Sequence, residues 1–363
     1  MEASVKKIIE SSIFVDCCIV TDARPLIIAE KDMGDEYDPW SLLPPAYLVL
    51  HNTERNSWGA RKFGENTFKW PRAAHTDVEG EMLVVGERGE VWYHGLGDNK
   101  QFEKPISEDL IGGVFAIKNI HDTIYVVGNM RTVLRREGVN QWTSISKTIK
   151  DDALTTYRAA KKKGNAFHSG FHCIDGFAAD KDLYAAGGVG DIWRYDGQNW
   201  HPVDIPLPKM HIQAICCAKD GYVYVAGRFG ALLKGREDEW QIIKQDKTQE
   251  DFRDITAFEN TVYVCTEGNL YTIENETIQE VDFGEMGRPF SFSALYANHG
   301  KLMATGSFSA CLFDGKQWQL LYGSSKADEV AEFALLSDMT DKLEDAIDTL
   351  GEAIASTKKN PKP

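Results

Sequence analysis

The chain has 363 residues, 43% of them hydrophobic, with 55 acidic against 40 basic side chains and a formal net charge of −15. So acidic a surface disfavours nucleic acid and anionic membranes as partners, and suits a basic protein instead. No apolar run reaches the roughly 18 residues a transmembrane helix needs.

The N-terminal stretch MEASVKKIIESSIFVDCC has no long apolar core followed by a small-residue cleavage site, so it does not read as a secretory signal. Seven cysteines, an odd number without a CxxC pair, sit mostly inside apolar runs such as AICCAK and VYVCT. There a cysteine acts as a small hydrophobe, and the expected compartment is the reducing cytoplasm.

Over residues 1–70, SIFVDCCIV, PLIIAE and AYLVLHN read as strands by apolar content and β-branching. An acidic segment at 30–38 and the prolines Pro39, Pro44 and Pro45 separate them as a long loop. SWGARKFG, from Ser57, fits a further, outer strand.

From residue 71 a repeat takes over. MLVVGERGEVWYHG, IYVVGNMRTVLRREGVNQW, LYAAGGVGDIWRYDGQNW, VYVAGRFGALLKGREDEW, VYVCTEGNLYTIENETI and LMATGSFSACLFDGKQW share one design. An apolar strand ends at a glycine, a short tip leads into a second strand, and a tight turn leads into a third. Asp196-Gly197 and Asp314-Gly315 are turns of that kind, because Gly supplies the positive φ cheaply. The glycine or its equivalent falls at Gly86, Gly128, Gly187, Gly227, Thr266 and Gly306, at intervals of 42, 59, 40, 39 and 40. A period near 40 with four short strands per unit is that of a β-propeller blade. The fourth strands carry Trp142, Trp200, Trp240 and Trp318, with Ile278 at the equivalent place, and these large side chains suit the space between blades. Six repeats are visible and residues 1–70 have room for one more. The expected fold is all-β, a seven-bladed propeller over 1–323, with six blades as the alternative. In it 1–70 is a degenerate first blade, 71–323 holds the clear repeats, and N-terminal strands help complete the blade at the ring junction.

The long interval holds an insertion at 147–170. Asp151 or Asp152 caps a predicted helix over 153–163 and Gly164 ends it. Beyond Gly323, Phe333, Leu336, Met339, Leu343, Ile347, Leu350 and Ile354 recur at steps of three and four. That spacing predicts an amphipathic helical extension over 324–363, with a disordered tail. Its stripe would either dock on the propeller or form a short coiled coil between chains.

Propeller topology puts the turn between second and third strands on the same face as the crossover to the next blade. This face is expected to gather Arg88, Met130, Arg131, Arg228, Phe229, Arg288 and Phe308, together with Arg158, Lys161 and Lys162 of the insertion. Arginine and aromatic residues together are what protein interfaces enrich, so these are the candidate partner-binding residues.

Catalytic and metal motifs are sparse. His168, His172 and Cys173 make an HxxxHC cluster, but a fourth zinc ligand is lacking. GxSxG, HExxH and P-loop patterns do not occur, and the Gly-rich GERGEV and GGVGDI lead into strands rather than helix N-termini. No metal and no cofactor are expected. Asp175 and Asp254, with His75 and His211, stand near inner-strand starts, where a central channel would lie. RYDGQNW and LFDGKQW look superficially like sialidase Asp-boxes but lack the serine.

The VYVAG…G…DGxxW units resemble divergent bacterial propellers of the WD40/YVTN-like kind, without the GH…WD signature of WD40 or the paired glycines of kelch. Some compact, acidic bacterial proteins of this type are immunity proteins that cap a toxin domain. The resemblance implies a non-enzymatic protein-binding propeller that caps a toxin domain; the acidic charge suits a basic partner, and the C-terminal stripe suits self-association. The second reading is an enzyme or lectin holding a glycan or small ligand in the central channel.

Overall fold

A computed structural model describes residues 1–34, 43–95, 97, 99–106, 113–149, 155 and 170–323. These form seven four-stranded sheets, each with its strands in simple chain order. The first is built from Ser12–Thr21, Arg24–Lys31, Ala46–Asn52 and Ser57–Lys62. The others span 72–102, 114–144, 173–202, 212–242, 254–280 and 294–323. The expected seven-bladed propeller is what the chain adopts, and SWGARK is the outer strand of blade 1.

The strand pattern follows from burial. Second strands such as MLVV, LYAAG, VYVAG and TVYVC are apolar almost throughout because each lies between two neighbouring blades. A strand covered on both faces loses the apolar–polar alternation. Fourth strands such as EWQI and SWGARK lie on the rim and are largely exposed.

The seven hydrophobic clusters are the seams between blades. Trp200 of blade 4 packs with Tyr125, Val133 and Phe171 at the seam with blade 3, and its indole N–H donates to the Ile145 carbonyl at 2.9 Å. Trp142, Trp240, Ile278 and Trp318 fill the corresponding seams. Trp58 does the same between blades 1 and 7.

The repeated glycine has a packing reason. A Cβ at Gly128, Gly187, Gly227 or Gly306 would overlap the carbonyl oxygen of Gly113, Gly170, His211 or Ser291 respectively, where the chain enters its own blade's inner strand. Only glycine lets the two backbones meet there.

Ring closure differs from the expectation. The N-terminal residues build a complete blade of their own, and 294–323 supply all four strands of blade 7, so no sheet is shared between the chain ends. The seam is held by side-chain packing and single hydrogen bonds. The Phe14 N–H donates to the Ser307 carbonyl at 2.9 Å, and Asn298 Nδ2 donates to the Ile19 carbonyl at 2.9 Å. A helix over Ala3–Glu10 covers this seam, with Val5 and Ile9 buried among Phe14, Ala310 and Leu312. It is short and its first turn has no side-chain cap, so it was not among the expected elements.

Arg158, Lys161 and Lys162 of the predicted insertion helix, His168, and the extension over 324–363 lie outside the described residues.

Candidate partner-binding face

Backbone hydrogen bonds bring the tips and crossovers to one face. The Glu87 carbonyl accepts from Val114, that of Gly128 from Phe171, and that of Gly188 from Ile212, at 2.7, 3.0 and 3.1 Å. The Gly227 carbonyl accepts from Phe252 and that of Glu267 from Phe292, at 3.1 and 2.9 Å. These five tips are thus tied to the chain entering the next blade, which braces the loop face.

The predicted residues divide on this rim. Met130 is 3% exposed, with its backbone in the left-handed region at φ 58. Its side chain turns inward, so it is withdrawn from the partner-facing set. Arg131 is engaged inside the protein. Its guanidinium forks onto Asp191 of the next blade at 2.8 and 2.9 Å and lies over the Trp193 ring at 4.7 Å. Trp193 in turn donates to the same carboxylate at 2.9 Å. With the Arg131 side chain 12% exposed, this is an inter-blade clasp rather than a free cation.

Arg228 is half-exposed and sits 3.5 Å from Asp251. Arg288 is exposed and donates to Asn269. Arg88 is exposed at its tip, beside Glu90, whose carboxylate accepts the Arg88 backbone N–H at 3.1 Å. Phe308 is partly buried. Among the described residues, acids on the same loops accompany several of the basic side chains of this face. Arg253 pairs with Glu267 at 2.8 Å, and Lys69 pairs with Glu87.

Phe229 stands apart. Its side chain is 73% exposed and its backbone is left-handed at φ 57, ψ 37. The turn around it is rigid. The Phe229 N–H donates to Asp251 Oδ1 at 2.9 Å, the Gly230 N–H donates to the Glu250 carbonyl at 2.9 Å, and Gln245 Nε2 donates to the Gly230 and Thr248 carbonyls, both at 2.8 Å. A left-handed conformation costs a residue with a side chain roughly 1–2 kcal/mol.

Sequence reasoning missed Trp70. It lies in the crossover from blade 1 to blade 2 on the same face, 50% exposed and left-handed at φ 47, with the Lys69 ammonium 4.4 Å from its ring centre. Its signal was the crossover topology itself, since KWP follows the last strand of blade 1.

On the inner strands, the acids of the second reading serve as braces between blades. Asp175 Oδ2 accepts from the Cys217 N–H at 3.0 Å, Asp254 Oδ2 from Leu295 at 2.8 Å, and Asp16 Oδ2 from Ala73 at 2.8 Å. Burial pushes the Asp16 carboxyl up to about 6, against the opposing pull of Arg72. Burial also opposes the charge on Lys118, but Asp175 and Asp254 outweigh it and its pKa is raised. His75 pairs with the Tyr296 hydroxyl at 2.7 Å, and burial lowers it to about 4.

Among the described residues no group of His, Cys, Asp and Glu is placed to hold a metal ion. His172 packs edge-on against Phe115, and the Cys173 thiol meets the Ala186 carbonyl. All seven cysteines are unpaired. Burial pushes their thiols up, Cys18 to about 12, so they behave as apolar filling. No described helix is long and apolar enough to cross a membrane.

No family model matches the chain. Solved propellers share the architecture at 8–12% identity, a likeness of fold alone. A virginiamycin B lyase from Staphylococcus aureus has a TM-score of 0.61 and 10% identity, covering 82% of this chain and 93% of the lyase. YCF48 from Cyanidioschyzon merolae has a TM-score of 0.59 and 12% identity, covering 84% and 95%. The WD40 propeller domain of Doa1 has a TM-score of 0.57 and 8% identity, covering 82% and 91%. Similarity in sequence is more informative. A curated relative, the immune protein Tsi7 of Pseudomonas aeruginosa PAO1, is 36% identical over 247 residues, which is 67% of this chain and 76% of the relative. The chain belongs to the family of the immune protein Tsi7.

Proposed function

We propose that this protein is an immunity protein that binds and neutralises a toxin through its loop face. The observation that carries the reading is the extended identity with an immune protein, which the exposed Phe229 on a braced rim complements. Loops held on a rigid scaffold are where binding usually resides. Arg88, Arg228, Arg288 and Phe308 flank the contact, and Arg158, Lys161 and Lys162 extend it from the insertion. A net charge of −15 supports a basic toxin domain, whose encounter it speeds. The seven unpaired cysteines support action in the cytoplasm. The apolar periodicity of 324–363 adds self-association, tested by truncation at Gly323 followed by sedimentation.

The toxin to test is the one encoded beside this chain's reading frame. Co-expression is expected to restore growth of cells making that toxin, and the purified pair to form a complex. The triple variant R88A/R228A/R288A tests the face. It omits Arg131, whose clasp belongs to the fold. Lost complex formation with an unchanged melting temperature supports the face; full binding by the triple variant removes it.

A further inference from the structure

Among the described residues with positive φ and a side chain, most are Asn, Asp, Glu or His. Trp70 and Phe229 are the two Phe, Tyr or Trp side chains among them, and both are half or more exposed on the loop face. Neither ring fills a seam between blades: Phe229 is 73% exposed, and Trp70, 50% exposed, has the Lys69 ammonium over its ring. Asn accepts the left-handed backbone more readily and would leave no apolar surface in water. A strained backbone that displays an exposed aromatic side chain is the pattern expected of a binding contact rather than of a fold requirement. The strain at Phe229 persists because three hydrogen-bonded neighbours, Asp251, Glu250 and Gln245, over-determine its turn.

Their placement says what kind of partner fits. Trp70 lies at the junction of blades 1 and 2, and Phe229 on blade 5 of a seven-blade ring. The two therefore stand on opposite sides of the axis. A surface touching both must cross the propeller axis, which a folded domain does and a short strand or tail lying along one blade does not. Around each ring the charges are already accompanied, Lys69 by Glu87 and Arg228 by Asp251. Beside each anchor, then, the basic side chain is held by an acid of the same protein, on a chain that is strongly anionic overall.

We infer that Trp70 and Phe229 are paired anchors that seat a folded, basic toxin domain across the propeller axis, each ring entering an apolar pocket on that domain. This rests on the immunity reading above and names the partner's form and the residues that grip it.

The test uses the full chain and the adjacent toxin domain, with binding measured by calorimetry for wild type, Trp70→Asn, Phe229→Asn and the double variant. Each single change is expected to weaken Kd by about thirtyfold or more, the scale of an interface hot spot. Melting temperatures should hold or rise, since Asn relieves the backbone. Single-variant Kd values within about twofold of wild type would overturn the anchors while leaving the immunity function standing; a wild-type chain that neither binds nor protects would overturn the function itself. Peptides tiled along the toxin provide a second readout: one that bound as tightly as the whole domain would overturn the folded partner. Sedimentation provides a third: a wild-type dimer that Phe229→Asn converts to monomer would reassign the anchors to self-association.

Discussion

Arg131→Ala separates a partner-binding arginine from a structural one. The side chain reaches from the tip of blade 3 to Asp191 in blade 4 with two hydrogen bonds of 2.8 and 2.9 Å, and it is mostly buried. Hydrogen bonds to charged groups are worth about 1.5–3 kcal/mol, and stacking on Trp193 adds roughly 1 kcal/mol. The contributions overlap, because Asp191 keeps its bond from Trp193, so we expect a loss of about 2–3 kcal/mol. At about 2.1 cal/mol/K per residue over a propeller of roughly 300 residues, that corresponds to a melting temperature lower by about 3–5 °C. Lysine supplies the charge without the fork, so Arg131→Lys should recover less than half of the loss. The double cycle with Asp191→Asn, read by urea unfolding, should show coupling above about 1 kcal/mol. An unchanged melting temperature in Arg131→Ala, together with weakened toxin binding, would refute the clasp and return Arg131 to the interface.

Asp16→Asn keeps an acceptor for the Ala73 N–H and removes a carboxyl that burial raises to about 6. The native state then holds an extra proton between about pH 4 and 6, so Asp16 lowers stability as pH rises through that window, by on the order of 2–3 kcal/mol. The stability of Asp16→Asn relative to wild type should therefore grow from pH 4 to 7 and then level off; a constant difference would contradict the assigned burial. Ile9→Ala should cost about 2–4 kcal/mol, since Ile9 is buried where the helix covers the closing seam. A loss below about 0.5 kcal/mol in urea titration would mean the helix does not hold the ring shut. Gly227→Ala should cost about 1–3 kcal/mol by overpacking against the His211 carbonyl, and an unchanged urea midpoint would show that the two backbones can part freely. With a basic toxin, the association rate should fall at least tenfold between low and high salt while dissociation stays nearly constant; equal rates at both salt concentrations would remove electrostatic steering.

The repeat was legible because its cause is local. The glycine ending the second strand is fixed in four blades by one backbone contact, and the fourth-strand tryptophans by one seam, so both recur at the same spacing. What ties distant segments together left no such trace. The bond from Phe14 to Ser307 and the packing of Val5 and Ile9 beside Leu312 join the two ends of the chain, and no periodicity announces such a meeting. The loop face was legible as topology but not as chemistry. Arg131 and Arg228 read as free cations, because Asp191 and Asp251 lie 60 and 23 residues further along the sequence. Met130 and Phe229 are both apolar residues at left-handed tips, and their nearly equal φ values say nothing of which side chain turns inward. Trp70 fell in a crossover that the aligned repeats did not reach.

The accompanied charges on the rim bear on how affinity and speed divide. A charge already held by a neighbour on its own protein gains little from a second partner, because a new contact must first strip water from the existing pair. Long-range attraction is different. It depends on the summed charge of the whole molecule and acts before any surface is dehydrated. An acidic protein whose anchor-side charges are paired internally would therefore draw a basic partner in quickly while leaving the grip to apolar side chains. The turn that carries Phe229, one of the two proposed anchors, is fixed from within the chain by Asp251 and Gln245. Pre-set turns reduce the ordering cost of association. The left-handed strain at Phe229 and Trp70 is borne in the free protein, so toxin binding need not supply it.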